Sequence, residues 1–167
     1  MSGLLFALVF LSALGCGLMA GLFFVFSAAV MTALARLQPA EGIAAMQSIN
    51  AAILNPLFLA VFFGTAALCA LATLSSLWTW GEPGALWRVL GGVLYLAGGL
   101  LVTRARNVPL NQALAVLAPD GPGSADRWSG YVARWTAWNH VRTVACLAAA
   151  ALLTVALCDQ ARGLGAA

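Results

Sequence analysis

Four long stretches of apolar residues dominate the chain, and shorter polar segments separate them. The stretches cover roughly residues 4–34, 54–78, 85–103 and 140–158. A helix needs about 20 apolar residues to cross a bilayer, so the pattern predicts four membrane-spanning helices. We therefore expect an all-α integral membrane four-helix bundle in which residues 1–167 form a single transmembrane domain.

The connections between the spans are unequal, and two of them are polar. Spans two and three are joined by a short turn, whereas residues 35–53 and 104–139 form long connections. Residues 41–54 predict a short interfacial helix in the first connection. In the third, Asn107 is expected to cap a short helix that carries Pro109 in its first turn, and residues 128–139 form an aromatic amphipathic stretch. Both long connections lie on the same side of a four-span protein, so we expect the functional site there.

Composition excludes an ordinary water-soluble domain. Only 8% of the residues are charged and 63% are hydrophobic, against roughly a quarter charged in soluble proteins. The basic residues are all arginine and are scattered singly, so the expected partner is the lipid bilayer and not nucleic acid. More arginines flank the long connections than the opposite side, which predicts that these connections lie in the cytoplasm and both termini outside. The expected location is a bacterial inner membrane, with the chain as a multi-pass integral protein.

Small residues recur at four-residue spacing in the first span, at Ala13, Gly17 and Gly21. Such a seam allows another helix to approach closely. The glycine pairs at 91–92 and 98–99 in the third span are interpreted in the same way. The seams permit a homo-oligomer without requiring one.

The start of the fourth span holds a dense group of polar side chains. At 100° per residue, Asn139 and Thr143 share one helix face, with Arg142 on one flank and His140 on the other, about 160° apart. Polar groups at membrane depth tend to face the bundle interior and to mark function. We expect Asn139 and Thr143 to point into a site that the two flanking residues border. The alternative is an interfacial anchor in which His140 bonds a backbone carbonyl.

Two further polar groups lie in the long connections. Arg104, Asn107 and Asn111 follow the third span, and Gln47 and Asn50 share one face of the helix predicted in the first connection. Both groups also have a structural interpretation, since Asn107 can cap a helix and neighbouring amides can bond each other.

The residue types limit the classes of chemistry. The chain has one histidine and no carboxylate within a span, so one subunit cannot assemble a multi-histidine zinc, copper or di-iron site. A haem with His140 as its only axial ligand stays open. The cysteines form no C-x-x-C pair, and phosphate-binding loops and Ser-His-Asp arrangements are absent. We therefore predict no metal and no cofactor.

Five segments together resemble the anthrone oxygenase-like family of small four-span membrane proteins. They begin at residues 21, 46, 55, 107 and 135 and read GLFFVFS, MQSIN, NPLF, NVPLN and WTAWNHVRT. The resemblance covers nearly the whole chain and implies the four-span fold. Fungal members linked to polyketide pathways are understood to convert anthrones to anthraquinones with dioxygen, without an established cofactor.

The resemblance implies a flat, apolar, phenolic or polyketide-like substrate whose enolate can reduce dioxygen directly. Such an oxygenase needs a base, donors to the developing oxyanion and a dry aromatic pocket. His140 is the expected base, Arg142, Asn139 and Asn111 are the expected donors, and Arg104 is a second choice. The rest of the expected pocket comprises Asn107, Asn50, Gln47, Trp135, Trp138 and Thr143. The two tryptophans are expected to flank the ring system of the substrate.

A non-catalytic membrane protein is the competing hypothesis. The same amides and arginine would then bind a lipid, a quinone-like ligand or a partner protein, or His140 would bind haem. Removing the only imidazole separates these hypotheses, because it should abolish turnover if His140 is the base and leave ligand binding intact if the pocket only binds.

Overall fold

The computed structural model describes the backbone of residues 3–165 and the side chains of residues 3–162, and this part of the chain contains helices and no strands. The helices are α1 (Gly3–Leu34), α2 (Pro39–Ala52), α3 (Pro56–Trp78), α4 (Ala85–Ala115) and α5 (Ser124–Gly165). All except α2 are long and apolar enough to cross a bilayer. The prediction of an all-α, four-span bundle is confirmed.

Local signals in the sequence determine where α3 and α4 begin. Asn55 precedes α3, and its Oδ1 accepts a hydrogen bond from the backbone N–H of Phe58 at 3.0 Å. Pro56 follows at the first helical position, where no N–H is needed. Gly84 precedes α4 with a φ of 82°, and a Cβ there would lie 2.7 Å from the carbonyl oxygen of Ala156. Glycine therefore permits both the turn and the close approach of α5.

The four spans form a ring in which each helix has two neighbours. α5 packs most extensively against α1 and α4, and α3 closes the ring by packing against the same two helices. The interior is an apolar core that includes Cys16, Cys69 and Cys146 and extends to Phe23.

The glycines of α4 are used in packing, whereas the two glycines of the α1 seam are exposed. A Cβ at Gly92 would lie 2.7 Å from the carbonyl oxygen of Cys69 on α3. A Cβ at Gly17 or Gly21 would meet open space, while Ala13 of the same seam packs against the core. The glycine part of the predicted seam therefore faces outward.

α4 and α5 extend beyond the bilayer on the side of the long connections. The 42 residues of α5 span about 63 Å, twice the roughly 30 Å of the hydrocarbon core. The helices expected in the third connection are thus continuations of the spans. Asn107 is not an N-cap, because its backbone is helical and its side chain makes no capping bond. The helix widens over Thr103–Asn107, an adjustment that accommodates Pro109 without a break.

A second apolar cluster covers this end of the bundle. α2 lies against α5 and the end of α4, and Gln47 anchors it by two hydrogen bonds. The Gln47 Nε2 donates to the carbonyl oxygens of Leu114 and Leu117 at 2.8 and 2.9 Å. The buried members of the cluster are Met31, Leu34, Ile43, Met46, Leu114, Trp128, Tyr131 and Trp135.

Candidate functional site

Asn139 and Arg142 are the centre of a buried polar network between the two apolar clusters. Asn139 is fully buried, and its Nδ2 donates to the carbonyl oxygen of Phe23 and to Ser27 Oγ, both at 2.7 Å. Its Oδ1 accepts from Arg142 Nη2 at 2.6 Å. Arg142 Nη1 donates to Thr103 Oγ1 at 3.2 Å. The network therefore links α1, α4 and α5.

Widened helical turns lie on two of the three helices that form this network. α1 widens over Phe26–Val30, and α4 widens over Tyr95–Leu101 and again over Thr103–Asn107. Turns of this π type are rare and occur frequently at functional sites. Ser27 and Thr103, which bond Asn139 and Arg142, both lie within such turns.

Arg142 is a buried cation without a carboxylate partner. Only 5% of its surface is exposed, and the one ion pair among the described side chains joins Arg162 and Asp159 near the other end of the bundle. The guanidinium packs over the rings of Phe23 and Trp135, 4.2 and 5.0 Å from their centroids. Its Nε has no hydrogen-bond partner. Because a buried charge is costly unless it is paired, this group is well suited to receive an anionic or strongly polarised oxygen.

Arg88 provides the contrast of a buried arginine with a structural role. It is fully buried, and its Nε donates to Ser76 Oγ at 2.9 Å while its Nη2 donates to Thr79 Oγ1 at 2.7 Å. Its Nη1 reaches the carbonyl oxygen of Pro83 at 3.4 Å. These bonds fasten the α3–α4 turn, whereas the guanidinium of Arg142 retains an unbonded N–H.

Arg142 lines a cavity between α1, α2, α4 and α5, beside the start of α3. The narrow interior measures about 100 Å³, and the hollow reaches about 570 Å³ when the open space at its mouth is included. Most of the wall is apolar, and Leu54 and Val108 lie in it with 66% and 38% of their surfaces exposed. The rings in the wall belong to Phe23, Phe26, Phe58 and Trp135, and the polar side chains to Asn50, Thr103, Asn111 and Arg142.

Two amides face this cavity. Asn111 is fixed by its Oδ1, which accepts from Trp135 Nε1 at 2.8 Å and from the Tyr131 hydroxyl at 3.0 Å. Asn50 lies near the end of α2 beside Tyr131, and its buried Nδ2 completes no hydrogen bond within 3.5 Å. The walls thus include two buried groups with unbonded N–H donors, Arg142 Nε and Asn50 Nδ2. Buried donors are normally bonded, so both are available to a ligand oxygen.

The structure does not bring His140 to this cavity. The imidazole is exposed and lines a separate open groove against the end of α1, together with Met31, Thr32 and Thr136. His140 and Arg142 lie about 160° apart around α5, and this angle directs them to different surfaces. The two residues predicted to border one site therefore do not share one.

Several other predicted residues bond the protein itself. Thr143 Oγ1 donates to the carbonyl oxygen of Asn139 at 2.9 Å, within its own helix. Asn107 is buried, and its Nδ2 donates to the carbonyl oxygen of Trp135 at 3.2 Å. Gln47 fastens α2. None of these three side chains lines the Arg142 cavity.

Arg104 and Trp138 also lie outside the cavity. Arg104 is exposed, and Trp138 stacks with the guanidinium of Arg106, 4.7 Å from its ring centroid. In contrast, Phe23 contacts Arg142 directly although no sequence signal marked it, and Thr103, the first residue of the polar group after the third span, bonds Arg142 as well. Their roles depend on how α1 and α4 dock against α5, which no local pattern in the sequence indicates.

A family model described as anthrone oxygenase matches residues 57–152, more than half of the 167-residue chain. The matched range contains Thr103, Asn111, Trp135 and Arg142 of the cavity wall, while α1 and α2 lie outside it. No curated protein and no solved structure matches the chain.

Proposed function

The chain belongs to the anthrone oxygenase family, and we propose that it is a membrane-embedded oxygenase for flat, apolar, phenolic or polyketide-like ketones. The proposed site is the Arg142 cavity. The observation that carries the proposal is the buried guanidinium, which has no carboxylate partner and shares an apolar cavity with the unbonded Asn50 Nδ2.

Arg142 would stabilise the enolate oxygen that forms when the substrate loses a proton from its central methylene. Positive charge and fixed N–H donors act strongly in a cavity of low dielectric constant. Since no carboxylate among the described side chains pairs with the guanidinium, it favours the ionised ligand over the neutral ketone. The cavity would therefore lower the pKa of the bound substrate.

The resulting enolate is electron-rich enough to react with dioxygen. The methylene carbon donates an electron pair to dioxygen, a C–O bond forms, and uptake of a proton gives a hydroperoxide. Loss of water then breaks the O–O bond and the remaining C–H bond, which leaves the carbonyl group of a quinone. The ketone and dioxygen thus give the quinone and water, without an external reductant.

The proton released from the methylene needs an acceptor other than His140, which lies on another face of α5. We assign this step to water at the mouth of the cavity, where α2 and the start of α3 lie at the bilayer edge. Asn139 and Thr103 act as positioning residues, because their bonds hold the guanidinium in place.

The apolar lining and the open mouth of the cavity support an apolar substrate that arrives from the lipid phase. The narrow interior has room for the ketone oxygen and dioxygen, and the ring system would lie in the wider mouth. Leu54 and Val108 line this cavity and are partly exposed. A lipid-soluble molecule would therefore reach the cavity past apolar side chains.

Oxygen uptake by the protein in lipid nanodiscs supplied with an anthrone tests the proposal, with quinone formation followed by absorbance. Arg142→Gln is expected to lower kcat/KM at least about 100-fold, as the loss of an oxyanion donor does. Arg104→Gln is the matched control, because it removes an exposed arginine near the same end, and it should keep the wild-type rate.

Equal rates in wild type and Arg142→Gln would overturn the assignment of the site. Tight anthrone binding without oxygen uptake in the wild-type protein would overturn the catalytic function and favour the non-catalytic binding protein.

A further inference from the structure

A second cavity lies on the outer surface of the same end of the bundle, between the end of α4 and the start of α5. We call it the basic groove. It measures about 300 Å³, or about 630 Å³ with its open side. Its floor and rim are formed mainly by Leu110, Ala113, Leu114, Leu117, Arg127 and Arg134.

Helical spacing places the charged side chains of the basic groove along one face of α5, opposite its apolar side chains. Arg127 and Arg134 are seven residues apart on α5, so they share one face and lie about 10 Å apart along the axis. Leu110 and Leu114 are one helical turn apart at the end of α4, Leu117 follows just beyond the helix, and all three line the same groove. Two cations therefore stand beside one continuous apolar floor.

Neither arginine forms an ion pair with any side chain that the structure describes. Both are exposed, and Arg134 is bonded through its Nε to the carbonyl oxygen of Gly130 at 3.1 Å. The nearest acidic residues in the sequence, Asp120 and Asp126, do not line the groove. The only ion pair among the described side chains lies near the other end of the bundle.

The depth of the basic groove is that of the lipid headgroups. The 31 residues of α4 span about 46 Å, which exceeds the roughly 30 Å hydrocarbon core by about 16 Å. Shared between its two ends, this excess is about 8 Å on each side, close to the thickness of one headgroup layer. The groove is built from the last turns of this extension. A ligand here would therefore meet phosphate groups of the bilayer together with the first carbons of their acyl chains.

We propose that the basic groove binds an anionic phospholipid, with its phosphate between Arg127 and Arg134 and its glycerol and acyl carbons on the leucine floor. A soluble anion would use the cations and leave the floor uncovered. A zwitterionic lipid would place a third positive charge beside the two arginines. Basic pockets between membrane helices bind anionic headgroups by the same chemistry.

Native mass spectrometry of the detergent-solubilised full chain tests this site, with phosphatidylglycerol titrated against phosphatidylcholine. The wild-type protein should bind phosphatidylglycerol preferentially. The double variant Arg127→Gln/Arg134→Gln should weaken this binding about 30-fold, because each arginine contributes roughly fivefold at an anionic surface. Arg162→Gln is the matched control, since it removes the same charge near the other end, and should leave binding unchanged.

A second variant tests the apolar floor without changing charge. Ala113→Trp should fill the groove and also lower phosphatidylglycerol binding, while thermal unfolding verifies that each variant is folded. Wild-type binding in the double variant would overturn the proposal. Displacement of the lipid by inorganic phosphate would overturn it as well, because the occupant would then be a soluble anion.

Discussion

Replacing Asn139 with alanine would remove the three hydrogen bonds that join α1, α5 and the guanidinium of Arg142. The bonds to the Phe23 carbonyl and to Ser27 are neutral, and neutral bonds between membrane helices average about 0.6 kcal/mol each. The bond to Arg142 involves a charged donor and contributes about 1.5–3 kcal/mol. The expected loss in the free energy of unfolding is therefore about 3–4 kcal/mol.

Double-mutant cycles separate the charged bond from the neutral ones. The free energy of unfolding would be measured in mixed micelles for Asn139→Ala, Arg142→Ala and their combination, and for the equivalent set with Ser27→Ala. We expect a coupling energy of at least about 1.5 kcal/mol between Asn139 and Arg142, and of about 0.6 kcal/mol between Asn139 and Ser27. Thr143→Ala serves as the control, because Thr143 Oγ1 bonds only its own helix.

A coupling energy below about 0.5 kcal/mol between Asn139 and Arg142, which is the scatter expected for independent sites, would refute this reasoning. Asn139 would then have no role in positioning the guanidinium.

Three further changes give sharp outcomes. His140→Ala should keep oxygen uptake, because the imidazole lines a separate groove; loss of uptake would restore His140 as the base. Gly92→Ala should lower the free energy of unfolding by about 1–3 kcal/mol through crowding against Cys69. Gly17→Ala, whose Cβ meets open space, should not change it, and equal thermal stability of the two variants would contradict this difference. Gln47→Leu should speed amide hydrogen exchange in α2, because both hydrogen bonds of Gln47 to the carbonyl oxygens of Leu114 and Leu117 are lost. An unchanged exchange rate would show that Gln47 does not hold α2 in place.

The spans were predictable because bilayer thickness imposes the length of an apolar run. Asn55 and Pro56 also marked the start of α3 correctly, since their capping chemistry is local. Asn107 and Pro109 carried a similar local signal, yet α4 continues through them. There a widened turn and packing against α5 outweigh the local preference for a helix start.

The site was predictable only in part. Asn139 and Arg142 lie at membrane depth, where polar groups turn inward, and the structure brings them together with Asn50, Asn111 and Trp135. The contacts of Arg142 with Phe23 and Thr103 depend on how three helices dock. The spacing of residues along any one helix does not indicate that docking. The angle of about 160° between His140 and Arg142 already indicated that the two side chains face apart. The packing of α1 against α5 does not bring them into one cavity.

The ionisation of a bound ligand tests the central claim most directly. A phenolic analogue of an anthrone that cannot be oxidised would be titrated by absorbance in nanodiscs that contain the protein and in empty ones. An uncompensated guanidinium at Arg142 should lower the apparent pKa of the bound phenol by about one to two pH units, and Arg142→Gln should abolish this change. An unchanged pKa in the wild-type protein, or an equal decrease in Arg142→Gln, would contradict the account.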